Sequence, residues 1–492
     1  MNIQHGDRAR PFRTASQLWL LCLLVSPLLW VDWGMPPQSA VGTPADARIL
    51  HILNRLSFGP RPQEIETIQG IGIDTYIKQQ LNPVSIDLPP VLKQKLELLK
   101  TLTTNPIRLF QQFNPNQPHN KAQRRQPIQE ALQSRLLRAV LSPRQLQEVM
   151  VDFWFNHFNV FVGKGATYVW IGAYEEQAIR PLALGHFRDL LGATARHPAM
   201  LYYLDNWQNT APNSPGARGR FQGLNENYAR ELLELHTLGV DGGYNSQDVQ
   251  ELARIFTGFG LAQPKRLGDG SGFLFDPSRH DFGDKVFLGT LIPGQGEAEI
   301  EQVLDLLANH PATARHISTK LAQYFVADEP PESLVRRLSQ RFSETEGDIR
   351  AVLETLFTSE EFWEPQYVGT KFKPPYQYII SLLRAVGSTN PDVIKIAGVL
   401  DQLSMMPYRC PTPDGYPNTE ADWLNPDAMM RRVTFATAIA KGAWSGKSLI
   451  DAEQLYQTLG QSFSPKTVSL VTASPEEIQS ALLLGSPEMM YH

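Results

Sequence analysis

The chain has 492 residues, with 45 Lys plus Arg against 50 Asp plus Glu and a formal net charge of −5. Hydrophobic residues make up 42% and charged residues 19%, a globular balance in a chain long enough to bury a large core. Two cysteines exclude a disulfide framework and a classical zinc finger. With this net negative charge nothing is basic enough to suggest a phosphate backbone as partner, and no nucleic acid is expected.

Arg8, Arg10 and Arg13 precede an apolar run from Leu18 to Val31, broken only by Ser26 and Pro27. The run falls short of the roughly 20 residues that span a bilayer. It has the form of an export-signal core, with candidate cleavage after Ala40 or Ala47. Residues 1–47 are therefore expected to be a signal peptide with a short leader, and 48–492 a single helical domain. The expected location is periplasmic or extracellular, with no stable membrane span after cleavage; an uncleaved N-terminal anchor is the alternative. Cleavage removes Cys22 and leaves Cys410 without an intrachain partner.

Helical signals dominate the rest, so the expected class is mainly α. Ser142-Pro143-Arg144-Gln145 reads as a capping box that starts a helix running to about Phe158. Asn225 to Leu238 reads as a helix closed by Gly239, and Ser246 opens another that closes near Gly258. Further helices are predicted over Pro311 to Val326, Pro331 to Phe342, Asp348 to Thr358, Pro375 to Val386 and Pro391 to Met405, with another from Ser474. His197-Pro198 and His310-Pro311 look like histidine-capped starts. One small hairpin is predicted between Phe273–Phe275 and Val286–Leu288. Loops are predicted at Gln111 to Pro127, Gln208 to Gly223, Gln263 to Gly272 and Met406 to Pro426, the last too proline-rich for a helix.

No H-E-x-x-H, C-x-x-C, Walker A, G-x-S-x-G or E-x-x-H signature is present. Four constellations remain. His157 falls on a helix face with Leu146, Met150, Phe153 and Trp154, which suits a metal ligand, a tuned base or a hydrogen-bonded core imidazole. Asn225-Glu226-Asn227-Tyr228-Ala229-Arg230-Glu231 places Glu226, Arg230, Glu231 and Glu234 on one side of a helix. That side is either ordinary solvated surface or a covered ionic network with site potential. His280-Asp281 sits in the expected hairpin turn, where acid–base potential competes with plain turn chemistry. Asp205 follows a short apolar helix and is positioned to reach a neighbour or to cap.

These blocks, in this order, resemble a large bacterial family known as domain of unknown function 1800. The resemblance starts at His51-Ile52-Leu53-Asn54-Arg55 and runs through Phe153-Trp154-Phe155-Asn156-His157-Phe158. It continues through the block at 225–232, Thr237-Leu238-Gly239, Phe256-Thr257-Gly258, His280-Asp281 and the proline- and tryptophan-bearing segment Pro411 to Trp423. Two positions depart from the family pattern: Phe155 replaces the first of two histidines, and His236 stands where phenylalanine is usual. A site needing both histidines would be impaired, and His236 reads as a core substitution. The resemblance implies export, and a partner in an exported sulfatase-like protein of the domain of unknown function 1501 type.

Two readings of function follow. In the first, the chain is a binding or assembly factor at the cell envelope. In the second, it is an exported enzyme with a divalent metal as its candidate cofactor. There Arg230, Glu231, Glu226, His280 and Asp281 are candidate catalytic residues, Asn225, Asn227, Tyr228, Asp205 and Trp423 candidate binding residues, and His157 a candidate metal ligand. A third makes His157 the axial ligand of a haem.

Overall fold

A computed structural model describes residues 44–116, 121–262, 270–443, 450–460 and 463–492. Residues 1–43 of the expected signal and leader, Cys22 among them, and residues 263–269 of one expected loop lie outside the described residues, while Pro44 already opens the helix Pro44–Leu56. The described chain is mainly α-helical, with two small two-stranded antiparallel sheets. No helix among the described residues is long and apolar enough to cross a membrane. Buried apolar side chains from Ile49 to Tyr491 form one continuous cluster. Each fully buried Leu or Phe in it contributes roughly 1.5–3 kcal/mol of transfer free energy.

Most predicted helices form near their expected ends, as Pro311–Phe325, Glu332–Glu344, Ile349–Phe357, Pro375–Ala385 and Val393–Gln402. His197 and His310 do cap: their Nδ1 atoms accept the Ala199 and Ala312 N–H groups at 3.2 and 3.1 Å. The helix after Ser142 begins later, as Gln145–His157. Ser142 Oγ accepts the Arg144 N–H, while Gln145 donates to the Ala139 and Ser142 carbonyls and accepts the Phe58 N–H. Gln145 thus ties two segments together instead of closing a box. The helix after Asn225 is Asn227–Glu231 and widens into a π turn over Leu232–His236, with Gly239 at φ 83° beyond it.

Three expectations are corrected. Pro127 lies inside the long helix Lys121–Leu141, and Pro106–Phe113 is helical, so helix enters both ends of the expected 111–127 loop. Phe273–Phe275 pairs with Phe259–Leu261, and Lys285–Phe287 with Thr290–Ile292, so the two predicted strands belong to different sheets. The second hairpin turns on Leu288 and Gly289, both at positive φ (47° and 74°). A leucine there gives no turn signal in sequence. Within the proline-rich segment a short helix, Glu420–Trp423, does form, and Pro426 opens the helix Pro426–Ala440. A proline at the first helical position loses no intrahelical hydrogen bond.

The Lys121–Leu141 helix packs on both Gln145–His157 and Pro375–Ala385. The last residue is tied back into the fold: Lys371 and His492 exchange backbone hydrogen bonds, and His492 Nδ1 donates to the Asn54 carbonyl at 2.9 Å. These junctions leave a cleft between the C-terminal half of Gln145–His157, the helix Pro311–Phe325, the start of Pro375–Ala385 and the loop 405–419.

Candidate functional site

The cleft has a volume of about 220 Å³. Residues Asp152, Asn156 and His157 line it from the Gln145–His157 helix, and Lys320 and Tyr324 from Pro311–Phe325. Asp152 and Asn156 are one helical turn apart, which puts both on the same face. The proline-rich loop supplies Tyr408, Asp414 and Tyr416.

The loop is held by two asparagines. Asn156 donates to the Tyr416 carbonyl and accepts the Tyr416 N–H, both at 2.8 Å. Asn159 donates to the Cys410 and Thr412 carbonyls at 3.1 and 2.7 Å. Gly415, at φ 78°, crosses so close that a Cβ there would lie 2.3 Å from the Asn156 carbonyl oxygen. Trp423, an expected binding residue, is buried and donates to the Pro417 carbonyl at 2.8 Å, so it shapes the loop from behind.

The cleft floor is ionic. Arg135 bridges Asp152 and Glu175, and Tyr408 donates to Glu175 at 2.9 Å. Arg180 joins Glu175 to Glu148 and Glu176, and Arg138 also meets Glu176. Three arginines thus face four carboxylates in an interior region where breaking a pair is costly. Burial pushes the Asp152 carboxyl up, against the opposing pull of Arg135.

On the opposite wall Lys320 is part-buried, and its ammonium donates to His157 Nδ1 at 3.3 Å. His157 therefore carries its proton on Nε2, which donates to the His236 carbonyl at 3.1 Å. Burial holds His157 well below the usual histidine range, and the Lys320 charge adds to this. His236 and His316 lie beside it, with ring centroids 6.1 and 6.2 Å away. Burial pushes them down to about 3 and about 4. Lys320 itself is pushed down to about 8 by burial, opposed by Asp414 at the cleft mouth. No carboxylate among the described residues forms an ion pair with Lys320.

With both ring nitrogens engaged, His157 offers neither a divalent metal nor a haem iron a free donor in this arrangement. Among the described residues no group of three or more His, Cys, Asp or Glu is placed to hold a metal ion. Phe155 lines the cleft, edge-on to Tyr408 at 4.9 Å and under the Arg135 guanidinium at 5.1 Å. His236 is buried, and neither of its ring nitrogens has a hydrogen-bond partner.

None of Glu226, Arg230, His280 and Asp281 lines the cleft. Arg230 pairs with Glu226 at 3.3 Å on an open face, half-exposed. Glu231 is nearer: burial raises its carboxyl, and Glu234 and Asp414 add to the rise. Asn225 and Asn227 anchor the helix start. Asn225 accepts the Asn227 N–H and donates to the Asp205 carbonyl, and Asn227 donates to the Leu204 carbonyl. Asp205, at φ 60°, pairs with Lys164. Tyr228 is buried edge-on against Phe256 at 5.0 Å. His280 is fully enclosed, with Nε2 and Glu299 Oε1 3.0 Å apart, and Glu299 also takes the buried Lys285 at 2.6 Å. Arg254 holds Asp281 through both carboxylate oxygens, at 2.8 and 3.3 Å. Against a burial penalty, these bonds keep the Asp281 carboxyl below its usual range.

Arg135, Asp152, Lys320, Tyr408 and Asp414 carry the cleft, and sequence reasoning missed them. One signal was present: Asp152 and Asn156 are polar residues four apart, and every other residue from Val149 to Phe155 is apolar. Lys320 gives no such signal, since its helix meets the cleft only in three dimensions.

The chain belongs to the family of proteins of unknown function DUF1800, whose family model matches residues 51–491. No curated protein and no solved structure matches it.

Proposed function

We propose that the chain is an exported protein whose Lys320 cleft binds a small anion, a carboxylate or an inorganic oxyanion. In that capacity it serves as a binding factor at the cell envelope beside an exported sulfatase-like protein of the domain of unknown function 1501 type. The observation that carries the reading is Lys320: a part-buried ammonium facing a cleft, bonded among the described residues only to a neutral imidazole. Charged groups withdrawn from water are ordinarily paired, so an incoming anion completes this one. The cleft is smaller than the roughly 300–1,000 Å³ of drug-sized sites, which favours a ligand of few atoms. Export rests on the N-terminal charge and apolar pattern, and the partner on the family resemblance.

A second reading, an enzyme, has one observation in its favour. Asp152, pushed up, and Lys320, pushed down, face the same cleft. Environments that drive an acid and a base toward neutral pH are those of proton-transfer pairs.

The test is thermal unfolding of the full chain and of Lys320→Met with acetate, malonate, phosphate or sulfate at pH 7. At ligand about 100-fold above Kd, binding stabilises by about 2.7 kcal/mol. At least one anion is expected to raise the midpoint of the parent chain and leave the variant unmoved. No shift with any of them, or the same shift in the variant, contradicts the proposal.

A further inference from the structure

A second recess of about 530 Å³ lies away from the Lys320 cleft and shares no lining residue with it. One wall is a ladder of rings and guanidinium groups. Phe110 stacks on Trp170 at 5.2 Å, Trp170 leans on Tyr202 at 6.0 Å, and Tyr202 stacks on Trp207 at 5.5 Å, within 2° of parallel. Arg220 then lies over Trp207 at 4.6 Å and over Phe221 at 5.3 Å, and Arg279 covers Phe221 at 4.5 Å.

The chain is built to make this wall. The segment 211–223, a loop in sequence terms, is stitched to 278–279: Ala211 N–H donates to the Arg279 carbonyl and Gly216 N–H to the Ser278 carbonyl, both at 2.8 Å. A Cβ on Gly260 would lie 2.7 Å from the Arg279 guanidinium, so glycine leaves that side chain its path to the Trp207 carbonyl.

The recess is lined by three arginines (Arg218, Arg220 and Arg279) against one carboxylate, Asp276. Asp276 is already taken by Ser278 and Arg279. Neither Arg218 nor Arg220 has a carboxylate partner among the described residues. The Trp207 indole N–H is buried with no acceptor. Trp207 carries Tyr202 and Arg220 on its ring, and Phe221 carries two guanidinium groups. The wall therefore presents donor edges in place of open ring faces, which argues against stacked bases, since those need free aromatic planes. Guanidinium edges match carboxylate or sulfate oxygens and hydroxyls. Leu261, Leu274 and Ile107 add an apolar lining. A ligand with an apolar C–H face, hydroxyl edges and acidic substituents meets all three demands.

We infer that this recess binds an acidic oligosaccharide, with Arg218 and Arg220 on its carboxylate or sulfate groups. The volume lies in the range of roughly 300–1,000 Å³ typical of such pockets.

The experiment is calorimetric titration of the full chain with trigalacturonate, a heparin-derived tetrasaccharide, maltotriose and oligo-dT. The same titrations are run on the Arg218→Gln/Arg220→Gln double variant and on Lys320→Met. At least one acidic saccharide is expected to bind, at least tenfold more weakly to the double variant and unchanged to Lys320→Met. Both arginines are exposed, so the double variant is expected to unfold at the parent temperature. Maltotriose binding as tightly as the acidic sugars, oligo-dT binding more tightly, no saccharide binding, or an unaffected double variant each overturns the assignment.

Discussion

Replacing Lys320 with methionine should stabilise the protein at neutral pH. The Lys320 amine is held at about 8 in the fold against an ordinary value of 10.5. Each pKa unit corresponds to about 1.4 kcal/mol, so the charged ammonium costs at most about 3 kcal/mol at pH 7. Methionine keeps the stem packing and removes that cost, but leaves His157 Nδ1 without its donor, a loss of about 1 kcal/mol. The net gain is about 1–2 kcal/mol. The sign with pH is fixed: between pH 8 and 10.5 the unfolded chain holds more protons than the folded one, so the parent gains stability as pH rises through that window. The advantage of Lys320→Met therefore shrinks across it. Urea unfolding of both proteins at pH 7, 9 and 10.5 reads this directly, in anion-poor buffer. A variant less stable than the parent at pH 7, or a gain that does not change with pH, would show that Lys320 is already satisfied within the fold.

His236→Phe should protect against acid. Burial holds His236 at about 3 against 6.5, so stability from its neutral form is lost as pH falls below the unfolded value. Relative to pH 7, the variant should gain about 3 kcal/mol at pH 4, measured by urea unfolding at both pH values. Asn156→Ala removes both hydrogen bonds to Tyr416; it should cost about 1–3 kcal/mol and speed proteolysis within 405–419, mapped by mass spectrometry. Arg135→Met leaves Asp152 and Glu175 without their shared cation, and thermal unfolding should report a loss of about 3–5 kcal/mol.

The helical class and most helix positions were legible because capping residues, prolines and glycines act locally. The histidine caps at His197 and His310 are examples. What depends on tertiary choice was not legible. Phe273–Phe275 pairs backward with Phe259–Leu261 because the following segment turns away at Pro277–Arg279. Pro127 fits within a helix although it removes one backbone donor. The site was partly legible: His157 and the proline-rich loop were singled out, and both line the cleft. The charged residues at 226 and 230 drew attention through density of charge, yet their pair is exposed, where such contacts contribute little. Lys320 and Arg135 matter because of what surrounds them, and no spacing in the sequence encodes that.

The most direct measurement is the proton taken up when the anion found by thermal shift binds. An anion beside Lys320 favours its charged form and raises a pKa that stands at about 8 in the free protein. Titration calorimetry at pH 8.5, in buffers of different ionisation enthalpy, should show uptake of a substantial fraction of a proton per anion. The uptake should vanish at pH 6, where Lys320 is already charged. Binding with no buffer dependence at pH 8.5 would contradict the account.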